Sequence, residues 1–453
     1  MSSRACGVVL VGALAAEGLF GCASNPGSGE TPGRAALAAP DGSHKGAVPA
    51  PSTAARPVER AYVALVRTSI VPADPRAVGT AALAAGASQM QAPAPSLPEG
   101  WGRDPERDGA WLDAAVTGAP SPWRIITAMT RVARTAHVGL VTPEIRAGIG
   151  RLMTGDQPAP GFNVYRAPDH RFVVFDVVPG ASAATSGVLA GDVLERLADE
   201  PVEGLLSPLF PALTRLGPGE RVPLGVVRKG HRETIQLELR HAVVSPVESR
   251  LLRGGNGYLR IRWFARSDDR ARDTAALVRA ALASFVGRGA RGLVIDLRSA
   301  LGGIGEADIA SALCDGDIVY FVQQPGAATP SPVARQGPRI WSGRRIVFLV
   351  NEQTVSAGED LVLAVRELAP STVVVGRTTA GGLTEFEPIP LGAGHALIVP
   401  TSAVLGPVTR QAPPGHAIVP DIPLDGATVA ELLSGRDPEL AAAEAALARV
   451  NVD

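Results

Sequence analysis

The chain of 453 residues carries 43 lysines and arginines against 44 aspartates and glutamates, a balance that argues against nucleic acid or a charged surface as a broad electrostatic partner. With 46% hydrophobic residues it can fill more than one core, and its length suggests about three domains. Only Lys45 and Lys229 are lysines, and the cysteines Cys6, Cys22 and Cys314 are too few for a disulfide framework or a cysteine-based zinc site.

The N-terminus runs Met1-Ser2-Ser3-Arg4, then an apolar stretch through Val8, Val9, Leu10, Val11 and Leu14, then Leu19-Phe20-Gly21-Cys22. It resembles a bacterial lipoprotein signal over residues 1–22, with Glu17 and Phe20 as departures. That resemblance implies an exported cell-envelope protein facing the periplasm or the outside, whose membrane contact is a lipid on Cys22. The apolar run is too short to span a bilayer. Residues 23–56, rich in Ala, Gly, Pro and Ser, read as a flexible linker.

A helical N-terminal domain is expected over residues 57–157. Val58, Tyr62, Leu65 and Val66, then Val78, Ala81, Ala82 and Ala85, recur at helical spacing, and Ile126, Met129 and Ala133 mark a further helix around Trp123 to Arg134. Thr142-Pro143-Glu144 supplies a cap, a first-position proline and an early acid for a helix bearing Ile145, Ile149 and Leu152.

Residues 158–243 switch to short strands with two helices, Ala183 to Leu189 and Leu205 to Leu216, and a hairpin turning at Lys229-Gly230. Val178-Pro179-Gly180-Ala181-Ser182-Ala183-Ala184 followed by Gly187-Val188-Leu189-Ala190-Gly191-Asp192-Val193-Leu194 is similar to the core signature of a bacterial PDZ domain, a partly open α+β barrel. Gly161-Phe162-Asn163-Val164 resembles its carboxylate-binding loop, with Asn163 where a glycine is usual and positive φ is expected. Such a loop gathers backbone N–H groups on a terminal carboxylate while the peptide adds to the sheet edge; the alternative is a groove that only packs on the rest of the chain.

Over residues 250–445, strands at Tyr258–Trp263, Gly292–Asp296, Ile346–Val350 and Thr372–Val375 alternate with helices at Asp268–Val286, Ile309–Leu313 and Ser356–Leu368, which predicts a mostly parallel sheet covered on both faces. Ser356 stands just after a buried strand at the start of a helix. That position exposes a hydroxyl where N–H groups and the positive helix end favour an oxyanion. Ser356 and Glu359 equally spell a capping box.

Val294-Ile295-Asp296-Leu297-Arg298 with Gly302-Gly303, Thr354-Val355-Ser356-Ala357-Gly358-Glu359, Val375-Gly376-Arg377-Thr378-Thr379-Ala380-Gly381-Gly382 and Ile418-Val419-Pro420-Asp421-Ile422 follow the order of the C-terminal processing (tail-specific) serine peptidases. Ala136-His137-Val138-Gly139-Leu140-Val141-Thr142-Pro143-Glu144 is similar to the family's segment before its PDZ domain. The resemblance implies a multidomain α/β protein with a crotonase-like peptidase core. It implies Ser356 as nucleophile, and the Gly302-Gly303 loop with the Ala357 N–H as oxyanion donors. Protein or peptide substrates, C-terminal tails among them, would follow, and no metal or organic cofactor is implied.

The departures are informative. Where the larger branch carries an activating lysine this chain has Gly382, and an arginine such as Arg377 cannot serve as a base. A tricorn-like branch uses a histidine, and His137 falls at that place. Thr135, Val138, Ala300 and Pro413-Pro414-Gly415-His416-Ala417 replace residues usual in the family, so His137 is either the base or a packed histidine, with His416 and His395 as lesser candidates. Asp296 and Arg298 read as structural. The expected function is an exported serine endopeptidase; the alternative is a pseudopeptidase that binds peptides without cleaving them.

Overall fold

The computed structural model describes residues 56–133, 137–147, 160–167, 169, 171–198, 200–202, 219–240 and 245–449. The signal with Cys22, Lys45, Thr135 and the helix expected over residues 205–216 lie outside them.

Four helices open the fold: Pro57–Val63, continued by a wider π-type turn over Ala64–Thr68, then Pro75–Met90, Pro105–Ala115 and Pro122–Val132. Each starts with a proline, whose missing N–H costs nothing there, and the Asp74 and Asp104 side chains accept the first free N–H groups of two of them. The helix Pro105–Ala115 was not foreseen in the sequence, although Asp104-Pro105-Glu106 is a helix start. Tyr62, Leu65, Trp101, Leu112, Ile125, Ile126 and Met129 form a shared core with Leu391, Leu397 and Val399, so these helices rest on a β-sheet.

A six-stranded sheet runs in the order Ile422–Pro423, Val373–Gly376, Arg345–Val350, Gly292–Asp296, Gly257–Ile261, Val247–Leu251. All neighbours pair parallel except the last. The inner strands are largely apolar and buried, because Thr274–Gly287, Glu306–Leu313 and Ala357–Leu368 pack on one face and Pro438–Arg449 on the other. The first of these helices begins at Thr274 rather than Asp268, since Asp273 caps it by accepting the Ala276 N–H at 2.7 Å.

The chain from residue 318 onward also departs from a purely parallel reading. Ile318–Gln323, Ser331–Ala334, Thr384–Gly392 and His395–Leu405 join Gly139–Val141 in an antiparallel sheet. Pro388, Pro390 and Pro400 interrupt the alternation that would have marked its long hairpin. A third sheet, Phe162–Arg166, Phe172–Val177, Val193–Leu197, Arg221–Arg228 and His231–Glu238, has its own core of Val174, Leu194, Leu224 and Leu237. It turns at Lys229-Gly230, both at positive φ. This sheet meets the parallel one through Asp176, 3.4 Å from Arg260 and 3.5 Å from Arg262, and through Phe175, whose ring lies under the guanidinium groups of Arg260 and Arg298. Among the described residues no helix is long and apolar enough to cross a membrane.

Candidate active site

Loops from the C-terminal ends of three adjacent parallel strands converge on Ser356. After Arg345–Val350, the Asn351 side chain accepts the Ser299 N–H at 2.9 Å, the Thr354 hydroxyl donates to Leu297 O at 2.8 Å, and the Val355 N–H donates to Ala300 O at 3.3 Å. These bonds fasten the serine turn to the loop that follows Gly292–Asp296. Ser356 itself takes φ 56° and ψ −126°, a conformation that costs a non-glycine residue about 1–3 kcal/mol and persists only where the surroundings impose it. It caps Ala357–Leu368, so the positive end of that helix lies at its side chain. The capping box is present: Glu359 accepts the Ser356 N–H at 3.0 Å, and the Ser356 side chain faces the backbone N–H of Glu359 in turn, without a hydrogen bond of ordinary geometry.

The two glycines beside it are required by shape. Gly302 has φ 72° and Gly303 φ 132°, and a Cβ on Gly303 would lie 1.8 Å from Phe264 O. The Phe264 N–H donates to Gly302 O at 2.8 Å and Phe264 O accepts the Ile304 N–H at 3.1 Å, which pins the loop to the chain leaving Gly257–Ile261. A Cβ on Gly358 would touch the Ala300 methyl at 3.7 Å, so this loop and the first turn of the serine helix are in contact. Ala357 is buried there.

Glu359 does more than the sequence suggested. Its buried carboxylate also accepts the N–H groups of Gly381 at 2.9 Å and Gly382 at 2.7 Å and the hydroxyl of Thr379. Burial outweighs these donors and pushes its pKa up to about 7. The third loop is therefore clamped to the serine turn through one carboxyl group. A Cβ on Gly382 would meet Glu359 Oε2 and Val355 Cγ2 at 2.9 Å and Ser356 N at 3.1 Å.

His137 is 3% exposed, at the start of the edge strand Gly139–Val141. Its Nδ1 lies 2.8 Å from the Thr384 hydroxyl oxygen, and its ring meets Phe386 edge-on at 5.2 Å. Burial pushes its pKa down to about 4, so the imidazole is neutral at pH 7. Thr384 follows Gly382 by two residues, which brings His137 to the loop that abuts Ser356, although among the described residues it makes no hydrogen bond to Ser356. Thr384 was missed in the sequence reading, because nothing local links it to a histidine 247 positions away.

The other candidates stand in different surroundings. His395 stacks on Trp123 with ring centroids 3.6 Å apart, and its Nδ1 lies 3.0 Å from Ala393 O. His416 adjoins the third loop, its carbonyl accepting the Leu383 N–H at 3.1 Å. Asp296 and Arg298 are buried in an ion network with Asp437, Glu439 and the Tyr258 hydroxyl, which fastens the C-terminal helix to the sheet. Burial alone would raise the Asp296 pKa, but Arg298 and Arg260 beside it hold it well below the usual carboxylate range.

In the third sheet the expectation for Asn163 is corrected. It is an ordinary strand residue paired with Asp176, to whose carboxylate its side chain donates at 3.1 Å, and it has no positive φ. The left-handed position is Gly161, φ 76°, where a Cβ would collide with the Ala181 methyl at 2.1 Å. Phe162 and Val164 point into the core of that sheet.

Residues 255–424 match the family described as Peptidase family S41. The chain is 27% identical over 300 residues to carboxyl-terminal-processing peptidase 2, chloroplastic, of Arabidopsis thaliana, covering 62% of this chain and 55% of the relative. It is 28% identical over 274 residues to a carboxyl-terminal-processing protease of Synechocystis, covering 57% of this chain and 61% of the relative. It thus spans little more than half the length of these curated relatives. Among solved structures, the photosystem II D1 C-terminal processing protease shares the fold, with a TM-score of 0.51 and 20% identity over 77% of this chain and 93% of that one. Over residues 255–424 the chain is thus similar to peptidase family S41.

Proposed function

We propose that the chain is an exported serine endopeptidase that hydrolyses peptide bonds in protein substrates, with Ser356 as nucleophile and a neutral His137 as general base. The observation that carries this reading is the conformation of Ser356: a strained, buried serine at φ 56° and ψ −126° at a helix N-terminus. With Nδ1–H directed at Thr384, the lone pair of His137 is on Nε2. In this mechanism Ser356 Oγ attacks the substrate carbonyl carbon as its proton passes to His137. The N–H groups of the Gly302-Gly303 loop and of Ala357 stabilise the oxyanion, and the proton then goes to the leaving amine. Water attacks the resulting ester with the same base, releasing the acid and regenerating Ser356.

Among the described residues the one lysine, Lys229, occupies a hairpin turn of the third sheet, which supports a histidine rather than a lysine as base. In the same reading the third sheet is a PDZ-type module whose Gly161–Val164 segment receives a chain end, and Cys22 carries a lipid that holds the enzyme at a membrane of the cell envelope. The test is hydrolysis of fluorescein-labelled casein by the full chain and by Ser356→Ala. Cleavage abolished in the variant supports the reading; cleavage retained by Ser356→Ala contradicts it, and absence of cleavage by both leaves the pseudopeptidase alternative.

A further inference from the structure

We infer that His416 is a substrate-binding residue of the Ser356 site, offering Nδ1 to the backbone of the bound peptide; this rests on the reading of Ser356 as the reacting residue. His416 Nδ1 is buried and has no hydrogen-bond partner among the described residues, whereas the Nδ1 atoms of His137 and His395 are both engaged. Buried polar atoms are nearly always satisfied, so an orphan beside a reactive centre calls for a partner absent from the free protein.

Its backbone is unusual as well. His416 has φ 52° and follows Gly415 at φ 66°, two successive left-handed residues, a conformation free to glycine and uncommon for other residues.

The surroundings hold it against the catalytic loops. Besides the bond from Leu383 N–H to His416 O at 3.1 Å, Gly415 O lies 3.0 Å from where a Cβ on Gly381 would stand. Two residues further on, the Ile418 N–H donates to the Thr379 hydroxyl oxygen at 2.8 Å and the Thr379 N–H donates to Ile418 O at 3.1 Å. Residues 415–418 are therefore laced to 379–383, the segment that Glu359 clamps to Ser356. A histidine in an uncommon backbone conformation with an open ring nitrogen, on a segment held at this place by three hydrogen bonds, has the character of a recognition group.

The test uses the full chain carrying Ser356→Ala, so that binding is read without turnover, and fluorescein-labelled casein as the probe in fluorescence anisotropy. His416→Gly keeps the left-handed backbone at no steric cost, and should melt no lower than its parent while binding casein about tenfold more weakly. His416→Gln, which can hydrogen-bond, should recover part of the loss. Equal affinity in the parent and His416→Gly, or no binding in either, overturns the inference. Failure of fluorophosphonate to label wild-type Ser356 would instead overturn the serine reading and leave the binding result to stand by itself.

Discussion

His137 Nδ1 and Thr384 Oγ1 lie 2.8 Å apart, both residues buried, and this contact joins the strand-edge segment before Gly139–Val141 to the loop that presses on Ser356. In the proposed reading His137 is the base, and the Thr384 hydroxyl would orient its ring. Thr384→Val removes the bond with little change of volume. Single-turnover labelling of Ser356 by a fluorophosphonate should slow about tenfold, with the melting temperature nearly unchanged. An unchanged labelling rate would assign Thr384 to packing alone.

Glu359 sets a pH dependence that can be isolated. Its folded pKa of about 7 exceeds its ordinary value of 4.5, so the native state keeps a proton that the unfolded chain releases between pH 4.5 and 7. The Glu359 contribution to stability is therefore fully present below pH 4.5 and is lost as pH rises through 7, by about 3 kcal/mol. His137 works in the opposite sense. Held at about 4 against 6.5, it adds stability as pH rises from 4 to 6.5. The raised pKa values of the buried Asp360 and Glu306 act in the same direction as Glu359. Urea unfolding should show that between pH 4.5 and 6.5 the stability of Glu359→Gln changes more positively with pH than that of wild type; a pH profile parallel to wild type would contradict the assignment.

Much of this was readable from the sequence, for identifiable reasons. Ile346–Val350 and Gly292–Ile295 are apolar throughout because both faces of the sheet are covered, and Ser356 and the paired glycines stand in the loops that follow these strands. Thr384, by contrast, depends on a strand register, Thr384 opposite Ala403, that prolines in the same hairpin disguise. The clamp by Glu359 was hidden behind its capping-box spacing: the local rule explains one of its hydrogen bonds, and the other three go to Thr379, Gly381 and Gly382, more than a helix length away in the chain. Asn163 misled because residue type alone suggested a left-handed turn where strand pairing decided the backbone.

Restoring a lysine at Gly382 should not create a lysine-activated serine. The new Cβ would press within 2.9 Å of Glu359 Oε2 and Val355 Cγ2. Overpacking of this kind costs about 1–3 kcal/mol, so Gly382→Lys should melt several degrees lower and label no faster than wild type. A faster-labelling, equally stable variant would show that the loop accommodates the longer side chain.

The central claim, that Ser356 is activated by His137 without a lysine, is tested most directly by fluorophosphonate labelling of the full chain at pH 7 beside Ser356→Ala and His137→Ala. Wild type should be labelled at Ser356, Ser356→Ala not at all, and His137→Ala at a rate lower by a factor of about 10²–10⁴ while folding normally. Labelling of His137→Ala at the wild-type rate, or equal labelling of wild type and Ser356→Ala, would contradict it.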